Sequence, residues 1–323
     1  CPLYKKPSGV WIMAYTDIDK PTDYFETKIW TGNGSSQDIS LDFAPNWVWI
    51  KQRSATRFHN LQDTIRGVGL QLFSNANNAD NSDTANITAF NSDGYSLGSG
   101  DNVNKNSSTY VGWSWKAGTS FSNDASSTSV GSIDSSGSTS TTAGFSIVKI
   151  DGLPAGTTST FAHNLGVKPD FIIFKSRNLT TNWDVYHSSA LPDGERKLYL
   201  NGTDAVIDSG FMTDTPPTSS VVSFNPGSND SNHIAYCFAE KQGYSKFGSY
   251  VGNGNADGTY VYTGFKPAFV ICKRAVGGTG NWGMNDTKRD PFSGTSHTCD
   301  ANEPGDADDV AIRMDILSNG FKL

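Results

Sequence analysis

The sequence predicts an all-β protein built from tandem β-sandwich repeats of the jelly-roll or lectin-like kind. Glycine and proline are abundant, with 33 and 13 residues among 323, whereas the helix-building residues Leu, Ala, Glu and Lys are sparse. Short apolar runs alternate with Gly, Asn, Pro and Ser clusters, which is the pattern of strands joined by turns. One strand motif also recurs three times along the chain, which indicates repeated units.

Composition excludes several classes of protein. The sparse helix formers exclude a mainly helical fold. Acidic residues outnumber basic ones, 32 to 25, which disfavours a nucleic-acid binder that relies on a basic surface. The longest apolar runs, such as 10–15 and 268–272, are far shorter than the roughly 20 residues of a membrane-spanning helix. We therefore expect no nucleic-acid partner and no membrane insertion.

The repeated motif is a proline followed by an apolar run that ends in basic residues. Its copies are residues 43–53, 167–177 and 265–274. Proline suits the start of a strand, because its missing N–H costs least there. An apolar run without alternation predicts a strand that is covered on both faces.

Other landmarks follow the motif in the same order and define the boundaries of the copies. They include Gly-Asn-Gly turns at 32–34 and 252–254 and aromatic closing strands at 110–116 and 234–240. Repeats of about 90 residues are long enough to have cores of their own. The chain then divides into an N-terminal segment (1–24), copy one (25–117), a Ser/Thr/Gly-rich linker (118–142), copy two (143–242) and copy three (243–323).

The linker allows two interpretations. Its composition is typical of a flexible segment. Serine and threonine are also acceptable in strands, so the linker could instead extend along a neighbouring sheet.

Copy three stops at Leu323, the position that matches Leu97 in copy one. It therefore lacks the segment that corresponds to the closing strand at 110–116. An open sheet edge is an aggregation liability. We expect either a continuation of the polypeptide or a neighbouring chain to supply this strand, and we favour continuation.

Residues suited to catalysis do not occur at recognised spacings. None of the five histidines belongs to an H-E-x-x-H motif, and no G-x-S-x-G motif occurs. Asp63 with Arg66 recurs as Asp286 with Arg289. An enzyme would not normally duplicate a catalytic pair in several repeats, so we interpret both pairs as ion pairs that fix a loop. We expect no catalytic residues, no cofactor and no metal.

The cysteines and the acidic clusters also have structural interpretations. The four cysteines are too far apart for a C-x-x-C unit, and Cys237 and Cys272 lie in apolar runs that predict buried free thiols. Neither acidic cluster fits the EF-hand spacing. We interpret their members as solvated loop acids: Asp17 with Asp19, and Asp306 with Asp308 and Asp309.

Aromatic residues make up 12% of the chain and divide into core and candidate site residues. Tryptophans two positions apart share one face of a strand, which predicts core positions for Trp47 with Trp49 and for Trp113 with Trp115. Trp183 and Trp282 precede loops, where an exposed ring beside Asn or Asp can hold a sugar by stacking and hydrogen bonding. We name as candidate ligand contacts Trp183, His187 and Trp282.

The repeated strings resemble a repeat domain of unknown function found in tail and fibre proteins of tailed phages, especially marine and cyanobacterial ones. The resemblance covers roughly residues 25 to 323, and the junction at 237–254 is its most distinctive part. It implies a virion surface protein, a fibre or related appendage that meets the host envelope, and it offers no catalytic residues. The other matching strings are 30–34, 45–53, 90–98 and 110–118.

We therefore expect a non-enzymatic phage virion appendage of the tail-fibre type, located on the particle surface, whose loops attach to a host cell-surface glycan or protein. One alternative is a purely structural virion component, a head decoration or tail shaft, that binds other virion proteins. Another is a polysaccharide depolymerase fibre, which would need two close carboxylates in a groove. Exposed aromatic residues on distal loops would favour the first function, and large apolar outer faces the second. Fibres are commonly trimeric, so a homotrimer is a further expectation, although no heptad repeat supports it.

Overall fold

The computed structural model is all-β, with 41% of residues in strands and 4% in helices, as the turn-rich composition predicts. It describes residues 3–5, 11–13, 16, 18–210, 212–227, 231–291, 297–306, 309–310 and 314–323. Among these residues the helical elements are one 3-10 turn, Pro21–Asp23, and two single-turn helices, α1 (Asp101–Asn104) and α2 (Ala125–Thr128).

The strands are antiparallel and short. Through copy one they are β1 (Leu3–Lys5), β2 (Trp11–Met13), β3 (Phe25–Thr31), β4 (Gln37–Ser40), β5 (Trp47–Gln52), β6 (Asn60–Asp63), β7 (Leu70–Gln71), β8 (Asn81–Ser82), β9 (Ile87–Asn91), β10 (Gly94–Leu97) and β11 (Thr109–Trp115). Through the linker and copy two they are β12 (Thr119–Asn123), β13 (Ser135–Ser140), β14 (Phe145–Leu153), β15 (Ser159–Ala162), β16 (Phe171–Ser176), β17 (Asp184–His187), β18 (Arg196–Tyr199), β19 (Ile207–Asp208), β20 (Val221–Phe224) and β21 (Ser231–Phe238). In copy three they are β22 (Tyr260–Tyr262), β23 (Phe269–Lys273), β24 (Trp282–Asp286), β25 (His297–Asp300), β26 (Asp309–Val310), β27 (Asp315–Leu317) and β28 (Gly320–Lys322).

Each copy contributes strands to one larger and one smaller sheet, and two further strand pairs, β1-β2 and β7-β8, lie in the N-terminal segment and in copy one. Copy one forms the sheets β3-β11-β5-β6 and β4-β10-β9, and copy three forms β23-β24-β25-β26 and β22-β28-β27. In copy two the larger sheet has the order β12-β13-β14-β21-β16-β17-β18-β19, beside the pair β15-β20. The repeated proline motif therefore gives β5, β16 and β23, each of which begins two residues after its proline.

In copies one and two the apolar run of the motif forms a central strand, as its lack of alternation predicts. In copy three the run gives β23, which among the described residues lies at the edge of its sheet with four of its five residues only half-buried, so the prediction of a strand covered on both faces is wrong there. Every residue of β5 and of β16 is buried. A smaller apolar cluster lies within copy one and includes Ile39, Ile50 and Tyr95. The largest cluster contains residues of all three copies, among them Trp47, Tyr236 and Trp282. The copies therefore share most of their core.

The linker extends along a neighbouring sheet, which is the second of the two interpretations that its sequence allows. Strand β12 pairs with β13, and β13 pairs with β14 of copy two, so residues 119–140 extend the larger sheet of copy two. The buried hydroxyl of Ser135 is satisfied inside the protein, since its Oγ donates to the carbonyl oxygen of Ala162 at 2.9 Å. A serine-rich strand can be buried here because its side chains replace water hydrogen bonds with backbone ones.

Candidate functional site

The tryptophans named as candidate ligand contacts are buried between copies. The indole N–H of Trp183 donates to the carbonyl oxygens of Phe73, at 2.9 Å, and Ala76, at 3.0 Å, both in copy one. The indole N–H of Trp282 donates to the carbonyl oxygen of Tyr199 in copy two, at 2.8 Å. Trp183 therefore joins copy two to copy one, and Trp282 joins copy three to copy two.

His59 occupies the corresponding position in copy one and closes the series. It stands four residues before Asp63, as Trp282 stands four residues before Asp286. Its Nδ1 accepts from the indole of Trp49 at 2.8 Å, so its Nε2 carries the proton and donates to the carbonyl oxygen of Asp300, in copy three, at 3.1 Å. Burial lowers the pKa of His59 well below its usual range, which keeps the ring neutral. Three equivalent hydrogen bonds thus join the copies in a closed ring.

His187 is partly buried between copies two and three. Its ring contacts Phe171 and Phe247 with centroid distances of 5.9 and 6.5 Å. Its Nδ1 accepts from the backbone N–H of Ser189 at 3.2 Å, and burial lowers its pKa. The assignment of His187, Trp183 and Trp282 to ligand contact stays a prediction that a binding measurement has to test.

The repeated Asp–Arg pairs are ion pairs that fix their loops, as the sequence predicts. Arg66 Nε lies 2.6 Å from Asp63 Oδ2, and both side chains are fully buried. Asp63 Oδ1 also accepts from the backbone N–H groups of Ile65 and Arg66 at 3.0 and 2.8 Å. The copy-three pair has the same geometry, with Arg289 Nε at 2.6 Å from Asp286 Oδ2.

Each buried carboxylate also receives a hydrogen bond from the closing strand of another copy. Tyr236, on β21 of copy two, donates its hydroxyl to Asp63 Oδ2 at 2.7 Å, and burial raises the pKa of this phenol, which keeps it protonated. Trp113, on β11 of copy one, donates its indole N–H to Asp286 Oδ2 at 3.2 Å. The bond from Tyr236 therefore joins copies one and two, as Trp183 does, and the bond from Trp113 joins copies one and three, as His59 does.

An exposed aromatic face in copy three was not found by sequence reasoning. Tyr260 and Tyr262 project from the same side of the edge strand β22 and are 44% and 62% exposed. The residue between them, Val261, packs on the opposite side against the small core of copy three. The alternation of Tyr-Val-Tyr in the sequence was the signal that could have predicted this face.

Polar groups surround the two exposed rings. The hydroxyl of Tyr260 donates to Asn319 Oδ1 at 2.7 Å. Lys322 lies directly across from Tyr260 on β28 and pairs with Asp257. Gly320 lies across from Tyr262, so no side chain covers that ring from the neighbouring strand. We call Tyr260, Tyr262, Asn319 and Lys322 the tyrosine face.

Copy one has no aromatic residues at the corresponding positions. Ile39 of β4 pairs with Tyr95 as Val261 of β22 pairs with Phe321. The residues on either side of Ile39 are Asp38 and Ser40, both exposed. The equivalent strand of copy one therefore forms without aromatic residues at these positions, so the strand pairing does not require the two tyrosines of copy three.

The described residues contain neither a metal-binding cluster nor a membrane-spanning helix. No group of three or more His, Cys, Asp or Glu side chains there could hold a metal ion. No helix in the described part of the chain is long and apolar enough to cross a membrane. Cys237 is a buried free thiol and Cys272 a half-buried one. Asp17 and Asp308 lie outside the described residues, so the interpretation of their clusters as loop acids stays a prediction.

The protein is all-β, and its copies share a core and are joined by buried hydrogen bonds. The family model of a domain of unknown function, DUF7483, matches residues 20–323. The chain belongs to this family. No curated protein matches the chain, and no solved structure does.

Proposed function

We propose that this chain is a non-enzymatic phage virion appendage of the tail-fibre type that attaches to a host-surface glycan through the tyrosine face. In this proposal the three copies are tandem β-sandwich units locked into a ring, and the protein is located on the surface of the virion. The phage setting rests on the resemblance of the repeated strings to tail and fibre proteins. Other virion proteins would bind surfaces of the chain away from the tyrosine face.

The observation that carries the proposal is the exposed tyrosine pair beside amide, carboxylate and ammonium groups. Aromatic side chains have a large apolar surface and, in tyrosine, a polar tip that hydrogen-bonds. Two such rings on one strand offer stacking surfaces for sugar rings, and Asn319, Asp257 and Lys322 offer hydrogen bonds to hydroxyl or acidic groups.

The two buried carboxylates of the repeated ion pairs are not available for a depolymerase reaction. Asp63 and Asp286 each have a buried arginine and a donor from another copy as partners. Groups engaged in this way stabilise the fold and are not open to a substrate. A depolymerase would instead need two carboxylates facing a shared groove.

A purely structural virion component is the second candidate. It is favoured by the edge strand β23 of copy three, which is less buried than β5 and β16. A sheet edge of this kind fits the binding of another polypeptide.

The test is binding of the purified full chain to a panel of host-envelope polysaccharides, with released sugar measured in the same samples. The variant Tyr260→Ser/Tyr262→Ser places small polar side chains on β22, as Ser40 does on β4. We expect saturable binding by the parent chain and at least tenfold weaker binding by the variant. Val276→Ser, at a residue 77% exposed elsewhere in copy three, is the matched control and should bind as the parent does.

Three results would redirect the proposal. Release of sugar would support the depolymerase. Equal binding by parent and double variant would remove the tyrosine face from the site and leave Trp183, His187 and Trp282 to be tested. Absence of binding to every host polysaccharide and to whole cells would favour the structural component.

A further inference from the structure

We propose that the junction between copies one and three opens in acid, when His59 binds a proton, and uncovers the aromatic surfaces by which these two copies pack. The ring of three copies would open there while the other two junctions stay closed. This inference is independent of the tyrosine face and of any glycan.

Among the described residues, copies one and three are joined by non-covalent contacts. The backbone passes from copy one into copy two through β12 and β13, and from copy two into copy three through residues 239–247. The contacts across this junction include the ring of Phe269 against Phe25 and Trp113, with centroids 5.8 and 5.7 Å apart. Separation of copies one and three therefore breaks no part of the chain.

The titratable ring at this junction stands where the other two junctions have tryptophan. His59 corresponds to Trp183 and Trp282, whose indole N–H groups make the bonds at the other junctions. The partner of His59, Trp49, corresponds to Ile173 and Ile271, since each is the third residue of its motif strand. Imidazole titrates near pH 6.5, whereas an indole N–H only donates. Of the three bonds that close the ring, acid therefore acts on one.

A proton on Nδ1 of His59 is incompatible with the closed junction. Nδ1 accepts from the indole N–H of Trp49 at 2.8 Å, so a proton there would face another donor. The histidine is fully buried, and a buried donor without an acceptor is costly. The protonated ring gains an acceptor only by leaving its position, which breaks its bond to copy three.

The charged groups around His59 also oppose its protonation. Lys51 of copy one and Arg289 of copy three, which pairs with Asp286, both act on the ring as cations. Burial has the largest effect, and together with these cations it holds the pKa of His59 well below 6.5 in the closed ring.

Two backbone groups of copy three favour the protonated ring, and their effect is smaller. They are the carbonyl oxygens of Asp300 and Glu303. Opening returns His59 to water, where its pKa is near 6.5. The open junction therefore binds a proton that the closed one excludes, and the equilibrium constant for opening rises by roughly tenfold per pH unit below 6.5. Between pH 7.5 and 5.0 the rise is about thirtyfold.

Two buried free thiols distinguish opening of the junction from unfolding of the chain. Cys299 pairs with Met284, two residues before Asp286, and so lies on the sheet face that Trp113 of copy one contacts. Cys237 lies in β21 of copy two and reports unfolding of that copy.

The test labels the full chain with 4,4′-dithiodipyridine, a thiol reagent that also reacts in acid, at pH 7.5 and 5.0. Peptide mass spectrometry locates the label, and each rate is divided by that of an unstructured cysteine peptide at the same pH. We expect the corrected rate at Cys299 to rise about thirtyfold and Cys237 to stay protected. A sample returned to pH 7.5 before labelling should regain the original rate.

Two variants remove the titration and retain the hydrogen bonds of the junction. Trp49→Ile/His59→Trp installs the pair that copies two and three have at these positions. His59→Gln keeps one acceptor and one donor in a neutral side chain, and it decides the matter if the double variant does not fold. In each of them the corrected rate at Cys299 should change by less than about twofold between the two pH values.

Three results would overturn the proposal. An unchanged rate at Cys299 in the parent chain would show that the junction does not open in acid. Labelling of Cys299 and Cys237 in parallel would show unfolding of the whole chain. The same rise in the variants as in the parent would show that a group other than His59 titrates.

Discussion

Replacing the buried arginine of copy one should destabilise the whole protein. Arg66 contacts Asp63 and Asp80 and donates to the carbonyl oxygen of Leu61, and its side chain is fully buried. The change Arg66→Met keeps much of the volume but leaves the Asp63 carboxylate buried without its cation. Removing one partner of a buried ion pair costs about 3–5 kcal/mol of unfolding free energy.

The chain offers a matched control with the same spacing. Arg196 pairs with Asp193 three residues earlier, but these side chains are 37% and 39% exposed. Surface pairs contribute about 0–1 kcal/mol, so Arg196→Met should change the unfolding free energy by less than about 1 kcal/mol. Urea unfolding followed by tryptophan fluorescence measures both. If Arg66→Met is expressed only as aggregate, Tyr236→Phe tests the same site with an expected loss of about 1.5–3 kcal/mol. Equal, small effects at positions 66 and 196 would refute the reasoning.

Three further predictions concern the backbone, the histidines and the contacts between copies. Gly94 has φ +145° and lies so close to β4 that a Cβ would clash with a backbone oxygen, so Gly94→Ala should lower the unfolding free energy by about 1–3 kcal/mol. The control Gly210→Ala, at φ +57° in open space, should lower it less in the same urea titration. Burial lowers the pKa values of His163 and His233 to about 4. Since only the unfolded chain binds these protons between pH 6.5 and 4, the unfolding free energy should be highest above pH 6.5 and fall by about 3 kcal/mol per histidine as the pH drops to 4. A urea midpoint that stays constant over that range would contradict this prediction. Trp282→Phe removes the indole donor between copies three and two and should cost about 1–3 kcal/mol, visible as a lower midpoint than that of the exposed-site variant Val276→Ser.

Local patterns in the sequence predicted the strands and the ion pairs. The apolar motif gave β5 and β16 because a run without alternation has to be covered on both faces. The pair Asp63 and Arg66 was predictable because three residues of separation let the carboxylate hold both the turn and the guanidinium. Both features depend on residues close together in the chain.

Contacts between copies were not predictable in the same way. Trp183 and Trp282 precede loops, which suggested exposure, but the partners that bury them lie in another copy. The sequence left open whether the linker joins a sheet, because the groups that its hydroxyls bond, such as the Ala162 carbonyl, are distant in sequence. The alternation Tyr-Val-Tyr is enough to predict that Tyr260 and Tyr262 share one face of a strand. Their exposure also depends on β22 being an edge strand, which the sequence of that strand does not determine.

The most direct test of the central proposal is binding of the full chain to intact host cells, with and without Tyr260→Ser/Tyr262→Ser. The parent chain should bind saturably and release no sugar, and the double variant should lose at least nine tenths of the binding while unfolding at the same urea midpoint. Equal binding by the two proteins would contradict an attachment role for the tyrosine face.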